Sequence, residues 1–341
     1  MPRTALRRGV AAGATVAALA LITACNSADD GSSGAAGNPK VAAVIKGLDN
    51  PFFQTMESGI NDQAKASGTE VTVQAATSIT DTTGQADKLT GLAGQDYGCY
   101  IVNPISGTNL IQGMAQLAAQ KKTIVNIDSP VDAEAAKAAN ATPATYIGTN
   151  NVSAGEKAGE QMLKLVPEGN VAAIGGIAGD VTSGARIEGF TKATTGKLTL
   201  VQTVAANWER QEALTQATNI LRAQPDLKGF FVANDDMGLG VSRAVATAGK
   251  TGQVKVISVD GIKDALEAVK AGQLDATVAQ YPYAIGQMGM EACQAAAKGA
   301  TLPPNVEAPV EVVTAENAEK ALAATPKPFG EYADPFKSLV G

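Results

Sequence analysis

The chain has 341 residues, 45% of them hydrophobic and 18% charged, with a formal net charge of −6 and no histidine. At about 150 residues per domain, that length suggests two domains. The acidic balance excludes the electrostatic footprint of a nucleic-acid binder, and the missing imidazole removes His-based triads, His-containing metal sites and His acid–base catalysis together.

In chain order, Arg3, Arg7 and Arg8 precede an uncharged apolar run over 9–24, short of the roughly 20 residues a bilayer-spanning helix needs. Residues 1–24 read as an export signal. Small residues directly before Cys25 resemble the lipobox of bacterial lipoproteins, so cleavage before Cys25 and acylation of its thiol are expected. Residues 25–39, rich in Gly and Ser, then read as a lipid-anchored flexible linker. Removing the signal leaves 24 basic against 33 acidic side chains. Only Cys99 and Cys293 remain beyond the anchor, which is no disulfide framework. Each is read as filling core space rather than bridging the other.

From Lys40 onward, short β-branched runs alternate with segments of helical apolar spacing. Strands are expected over 41–47, 69–76, 99–104, 123–129 and 145–150, and in a second series over 170–176, 198–206, 229–235, 254–261 and 276–280. Between them, apolar residues recur at intervals of three and four, as in Leu110, Ile111, Met114, Leu117 and Ala118, or Leu214, Ala217, Ile220 and Leu221. Near-continuous apolar strands separated by such helices imply parallel sheets covered on both faces. Two series of about five units each make this an α/β chain with two Rossmann-like lobes.

Ligands of such sheets sit beyond the carboxyl ends of the strands, and these ends carry polar residues: Asp49 and Asn50, Asn103, Asp128, Thr149 and Asn150, Asn207, Asn234 and Asp235, Asp260 and Gln280. Any one of them alone also serves as a helix cap; so many from two lobes favour a polar cleft. Aromatic residues are only 4% of the chain, yet Phe52 and Phe53 follow the Asn50–Pro51 turn directly, and the single tryptophan, Trp208, lies at a strand end beside Asn207, Glu209 and Arg210. Amides, carboxylates and guanidinium groups can each bond two neighbouring hydroxyls, while rings offer flat walls to C–H faces. This set suits a neutral polyhydroxylated ligand.

Other chemistries lack their residues. Gly249-Lys250-Thr251 resembles the end of a phosphate loop, but Ala244 stands where the first glycine is required. Gly175, Gly176 and Gly179 do not make a dinucleotide spacing. Asp235-Asp236 lack the alternating oxygen ligands of a calcium loop and read as caps of a helix beginning near Met237. No cofactor and no metal is expected.

LDNPFF (48–53), VNP (102–104), the Asp128 strand end, IAGDVTSGARIEGF (177–190), NWER (207–210), ANDDMGLG (233–240), SVDG (258–261) and TVAQ (277–280) together resemble the ribose- and allose-binding proteins. These are periplasmic-binding-protein-like (type I) receptors of bacterial ABC sugar importers, and the resemblance runs in order from about residue 41 to 313. It implies two lobes joined by a three-stranded hinge, with crossings near Thr149, Tyr281 and Ala308. One lobe would hold 40–148 with 282–308; the other would hold 149–281 with 309–341.

The resemblance also implies a ligand-binding set. Lys46, Asn50, Phe52, Phe53, Asn103 and Asp128 would line one wall, with Thr149 near a crossing. Arg186, Trp208, Asn234 and Asp260 would line the other, with Gln280 at a second crossing, and Phe53 and Trp208 would stack on opposite sides of a sugar ring. Ser129 stands where ribose receptors carry an arginine, and Lys46 where they carry a small hydroxyl residue; lysine there resembles the allose-binding branch. An allose-like hexose, a pentose and a sugar alcohol all remain open as ligands. Expected partners are that monosaccharide or polyol, an ABC permease with its ATPase, and the membrane through the lipid anchor only. The protein would be a monomer on the outer face of the cell membrane and no enzyme. The alternative is a sensory sugar or autoinducer receptor signalling to a membrane kinase. The tail over 325–341, with Phe329, Tyr332 and Phe336, lies beyond the resemblance and is expected to dock on a lobe.

Overall fold

The computed structural model describes residues 39–340. The export signal, the acylation site Cys25 and the linker up to residue 38 lie outside the described residues. Strand β1 (Val41–Ile45) leads into α1 (Pro51–Ser67), followed by β2 (Val71–Ala75), α2 (Thr82–Ala93), β3 (Cys99–Val102), α3 (Ile111–Ala119), β4 (Thr123–Ile127), α4 (Ala133–Ala138), β5 (Thr145–Thr149) and α5 (Asn151–Leu165). The second series runs β6 (Gly169–Gly175), α6 (Val181–Thr194), β7 (Leu198–Ala205), α7 (Arg210–Ala223), β8 (Gly229–Val232), α8 (Asp235–Thr247), β9 (Lys255–Asp260), α9 (Lys263–Lys270) and β10 (Ala276–Ala279). Helix α10 (Pro282–Ala297), two short strands β11 (Asn305–Ala308) and β12 (Glu311–Val313), and helices α11 (Ala318–Ala324) and α12 (Lys337–Val340) complete the chain.

Two sheets of six strands result, ordered β11-β5-β4-β3-β1-β2 and β12-β10-β9-β8-β6-β7. The first is parallel throughout, and β12 alone runs antiparallel to its neighbour in the second. Apolar runs such as VAAVI in β1 are buried at every position, as strands covered by helices on both faces must be. These are the two α/β lobes expected from the residues. Each of the ten β-branched runs holds one strand; β11 and β12 are only four and three residues long, too short to show a period.

The chain passes between the sheets three times. β5 closes its part of the first sheet and α5 packs beneath β9 of the second; β10 leads into α10, which packs on α1 and β4; and β11 lies beside β5 while β12 pairs with β10. This return of α10 has a covalent result. Cys99 of β3 and Cys293 of α10, 194 residues apart in sequence, form a disulfide with Cα atoms 5.7 Å apart, which corrects their reading as unpaired core residues. Their proximity depends on the return crossing, and spacing in the sequence carries no trace of it. The tail over 325–341 docks on the first lobe, with α12 packed on α10, whereas α11 just before it packs on α9 of the second. No helix among the described residues is long and apolar enough to cross a membrane.

Candidate ligand-binding cleft

The strand ends build the site. Asn50 caps α1, its Oδ1 accepting from the Phe52 amide at 2.9 Å, with Pro51 at the first helical position. That turn fixes Phe52 and Phe53 edge to face, ring centres 5.2 Å apart; both rings are buried and both line the cleft. The second lobe repeats the device: Asn234 caps α8, Oδ1 accepting from the Met237 amide at 2.9 Å. In each asparagine the cap uses Oδ1, which leaves the Nδ2 group for the cleft.

A narrow cavity of about 50 Å³ lies between the lobes. Nine of the twelve expected residues line it: Lys46, Asn50, Phe52, Phe53 and Asp128 from the first lobe, Arg186, Trp208, Asn234 and Asp260 from the second. Asn103, Thr149 and Gln280 do not. Each is buried, and Asn103 Oδ1, Thr149 Oγ1 and Gln280 Oε1 have no hydrogen-bond partner among the described residues. Ile79, Ile105, Ser129 and Thr182 also line the cavity. Isoleucines carry no chemical signature in a sequence, but Thr182 precedes Arg186 by four residues on α6, a spacing that shares one helix face.

On the first wall, Lys46 Nζ donates to Ser129 Oγ at 2.7 Å, and Ser129 Oγ donates to Asp128 Oδ2 at 3.2 Å. Lys46 Nζ is 3.9 Å from that carboxylate and 5.4 Å from the centre of the Phe53 ring. Burial pushes the Asp128 carboxyl above the usual range, against the pull of Lys46 and Arg186. On the second wall, Arg186 Nη1 donates to the Ala233 carbonyl at 2.6 Å and to Asp260 Oδ1 at 3.2 Å, while Nε donates to Asn151 Oδ1 at 2.8 Å. Gln280 Nε2 donates to the same Asp260 Oδ1 at 2.6 Å, so Gln280 acts one step behind the wall and Asp260 Oδ2 is left for the cavity. Burial, opposed by Arg186 and reinforced by Asp235, pushes the Asp260 carboxyl up to about 7.

Backbone strain concentrates here. Asp128 (φ 60°), Asn207 (51°), Trp208 (66°) and Asp260 (139°) all occupy positive φ, a cost that clusters at functional sites. Gly176 admits the tryptophan: a Cβ there would lie 2.0 Å from the indole ring. The Arg186 guanidinium carbon stands 5.9 Å from the centre of that ring.

Asp235 departs from its reading as a cap. Asn234 caps the helix, and the Asp235 carboxylate, fully buried, accepts from Ser258 Oγ (2.5 Å), Thr277 Oγ1 (2.6 Å) and the amides of Gly261 (2.6 Å) and Ile262 (2.9 Å). It thereby fixes the turn that holds Asp260. Asp236 instead meets Arg210 at 2.7 Å.

Residues 41–301 match the periplasmic binding protein domain family. The D-allose-binding periplasmic protein of Escherichia coli (strain K12) is 38% identical over 79% of this chain and 88% of its own length. A ribose import binding protein of Bacillus subtilis is 30% identical over 87% of this chain and 95% of its own. A solved ABC transporter periplasmic solute binding protein from Actinobacillus succinogenes, with bound D-allose, aligns at a TM-score of 0.78 and 30% identity, covering 82% of this chain and 99% of that one.

Proposed function

The chain belongs to the periplasmic binding protein domain family, and on that premise we propose that it is the extracytoplasmic solute receptor of an ABC sugar importer. The observation that carries this reading is the composition of the cleft walls. Two asparagine amides, two carboxylates, an ammonium and a guanidinium converge on one cavity, between the Phe53 ring on one lobe and the Trp208 ring on the other. Such a set matches hydroxyls around a rim and C–H patches on two faces. The ligand is a monosaccharide, an allose-like hexose or a pentose, or a sugar alcohol. Lys46, in place of a small residue, narrows the first wall and presents a point charge rather than a planar fork.

No bond is made or broken. The lobes, 40–148 with 282–308 and 149–281 with the segment that follows residue 309, close on the sugar and shield its hydrogen bonds from water. Binding shifts the open and closed populations by the ligand's differential affinity for the two states. Asp128 and Asp260 accept from hydroxyls, Asn50 and Asn234 donate through Nδ2, and Arg186 holds Asp260 in place. Asn103, Thr149 and Gln280, each with a buried polar atom that has no partner among the described residues, support the cleft from behind. The signal of residues 1–24 and acylation at Cys25 tether the monomeric receptor to the outer face of the membrane, where it delivers sugar to a permease driven by an ATPase.

A thermal-shift screen of aldoses, ketoses and pentitols, followed by calorimetry on the hits, tests the reading. Micromolar or tighter binding of at least one sugar is expected; no shift with any of them overturns it.

A further inference from the structure

Beyond the third crossing the chain still has work to do between the lobes. After β12 pairs with β10, α11 packs on α9, and Lys270 Nζ lies 3.7 Å from Glu319, so residues up to 324 are seated on the second lobe. From Lys327 onward the chain meets α10 of the first lobe, while Lys320 Nζ of α11 still stands 5.7 Å from the Phe329 ring centre. Lys327 Nζ is 5.9 Å from the Tyr283 ring centre, Lys298 Nζ donates to the Val340 carbonyl at 2.6 Å, and Phe336 is fully buried. Midway, Phe329 packs edge to face on Tyr281 with ring centres 6.0 Å apart. Tyr281 is the residue at which β10 crosses to α10, directly after Gln280, whose amide holds Asp260.

The seat on α10 includes an unusual contact. Glu291 is 3% exposed and the Asp334 side chain 2%, and the two carboxyl groups meet. Gln287 Nε2 donates to Glu291 Oε1 at 3.0 Å, and Lys337 Nζ stands 3.9 Å from Asp334 Oδ2. Read as two carboxylates, Glu291 Oε2 and Asp334 Oδ2 both lack a donor among the described residues. One shared proton supplies it, because like charges in contact cannot both ionise.

We propose that residues 325–340 are a fourth link between the lobes, a strap fastened across the hinge that favours the closed cleft and so strengthens ligand binding. The first half stands on the contacts above; the second rests on the sugar-receptor reading. The strap is fastened in a closed form, since Lys46, Asp128, Arg186 and Asp260, drawn from both lobes, are each at least nine-tenths buried around one cavity. Any rotation of the lobes about the three crossings moves α9 relative to α10. A segment seated on both must then deform or leave one of them. Apparent affinity scales with the fraction of molecules in the binding-competent state, so unfastening the strap weakens binding without touching the cleft.

Small-angle scattering of the sugar-free whole chain, compared with Phe336→Ala and Phe329→Ala, tests the first half; cooperative thermal unfolding serves as the check on folding. Both variants are expected to show a larger radius of gyration, and calorimetry with the sugar found in the screen is expected to give about tenfold weaker binding. Should Phe336→Ala fail to fold, Phe329→Ala on its half-buried ring and Lys298→Ala at the exposed tail end carry the comparison. An unchanged radius in the folded variants overturns the strap. Larger radii with unchanged affinity overturn its effect on binding. If the wild-type protein binds no sugar, the receptor reading fails, while the scattering still decides whether the tail fastens the lobes.

Discussion

Lys46 and Ser129, 83 residues apart, are joined by a 2.7 Å hydrogen bond from Nζ to Oγ, and the same hydroxyl donates to Asp128. The serine is therefore a relay between an ammonium and a carboxylate on the first wall. Ser129→Ala is expected to weaken sugar binding by roughly 1 kcal/mol, about fivefold, with the unfolding midpoint nearly unchanged. Calorimetry beside a thermal melt checks this, and equal affinity in the variant removes the relay from the account.

Asp260 gives the pH dependence of binding. Its carboxyl, faced by Arg186, Asp235, Asp128 and Gln280, titrates at about 7, and an ionised carboxylate is the stronger acceptor for sugar hydroxyls. Affinity should thus rise between pH 6 and pH 8, by up to about tenfold, and level off above. In Asp260→Asn the profile should flatten at a weaker value. A wild-type affinity independent of pH across that window would contradict the assignment.

Most of the fold is legible in the residues because buried parallel strands leave uninterrupted β-branched runs, and ten of the twelve strands among the described residues do so. The cleft is legible for a related reason: strand ends are where this fold presents polar groups, and Asn50, Asp128, Asn234 and Asp260 stand there. Asp235 escaped because its partners, Ser258, Thr277 and the Gly261 and Ile262 amides, meet it only in space. Ile79 and Ile105 escaped because an apolar side chain reads the same in a core and in a pocket. The Cys99–Cys293 pairing and the seat of α12 both follow from where α10 returns, a long-range fact without a local signal.

Asp235→Asn tests the buried carboxylate directly. Asparagine keeps one acceptor oxygen and turns an N–H group toward donors, leaving at least one buried donor unsatisfied. A loss of roughly 3 kcal/mol is expected, read as a lower denaturant midpoint with an unchanged slope. Loss of stability without loss of sugar affinity would show that Asp235 does not position Asp260.

The Cys99–Cys293 disulfide closes a loop of 194 residues and ties β3 to α10. The Cys99→Ser, Cys293→Ser double variant is expected to lose about 2–4 kcal/mol of stability. Sugar affinity should change little, because neither cysteine lines the cleft. Denaturant unfolding and calorimetry separate the two quantities.

Glu291 sets a second pH effect, this time on stability. Burial and Asp334 raise its carboxyl from about 4.5 to about 7 in the folded protein, with Lys337 opposing and Tyr332 also nearby. A group with a raised folded value stabilises most below its unfolded value, and the contribution is lost as pH rises through the folded one. Sugar-free stability should therefore fall between about pH 4.5 and 7, by at most about 3 kcal/mol from this group. Asp260 titrates in the same window, so the measurement is a comparison: Glu291→Gln, which keeps a hydrogen bond to Asp334 without a titration, should show a shallower fall than wild type. Identical slopes would exclude the shared proton.

The bare backbone at Gly176 that admits the Trp208 ring has an optical consequence. The chain contains one tryptophan, and it faces the cavity beside Arg186. All of the protein's indole emission thus originates at one wall of the cleft, with no background from elsewhere in either lobe. A sugar that displaces water from that wall should shift the emission maximum, so the unlabelled molecule carries its own spectroscopic reporter of occupancy.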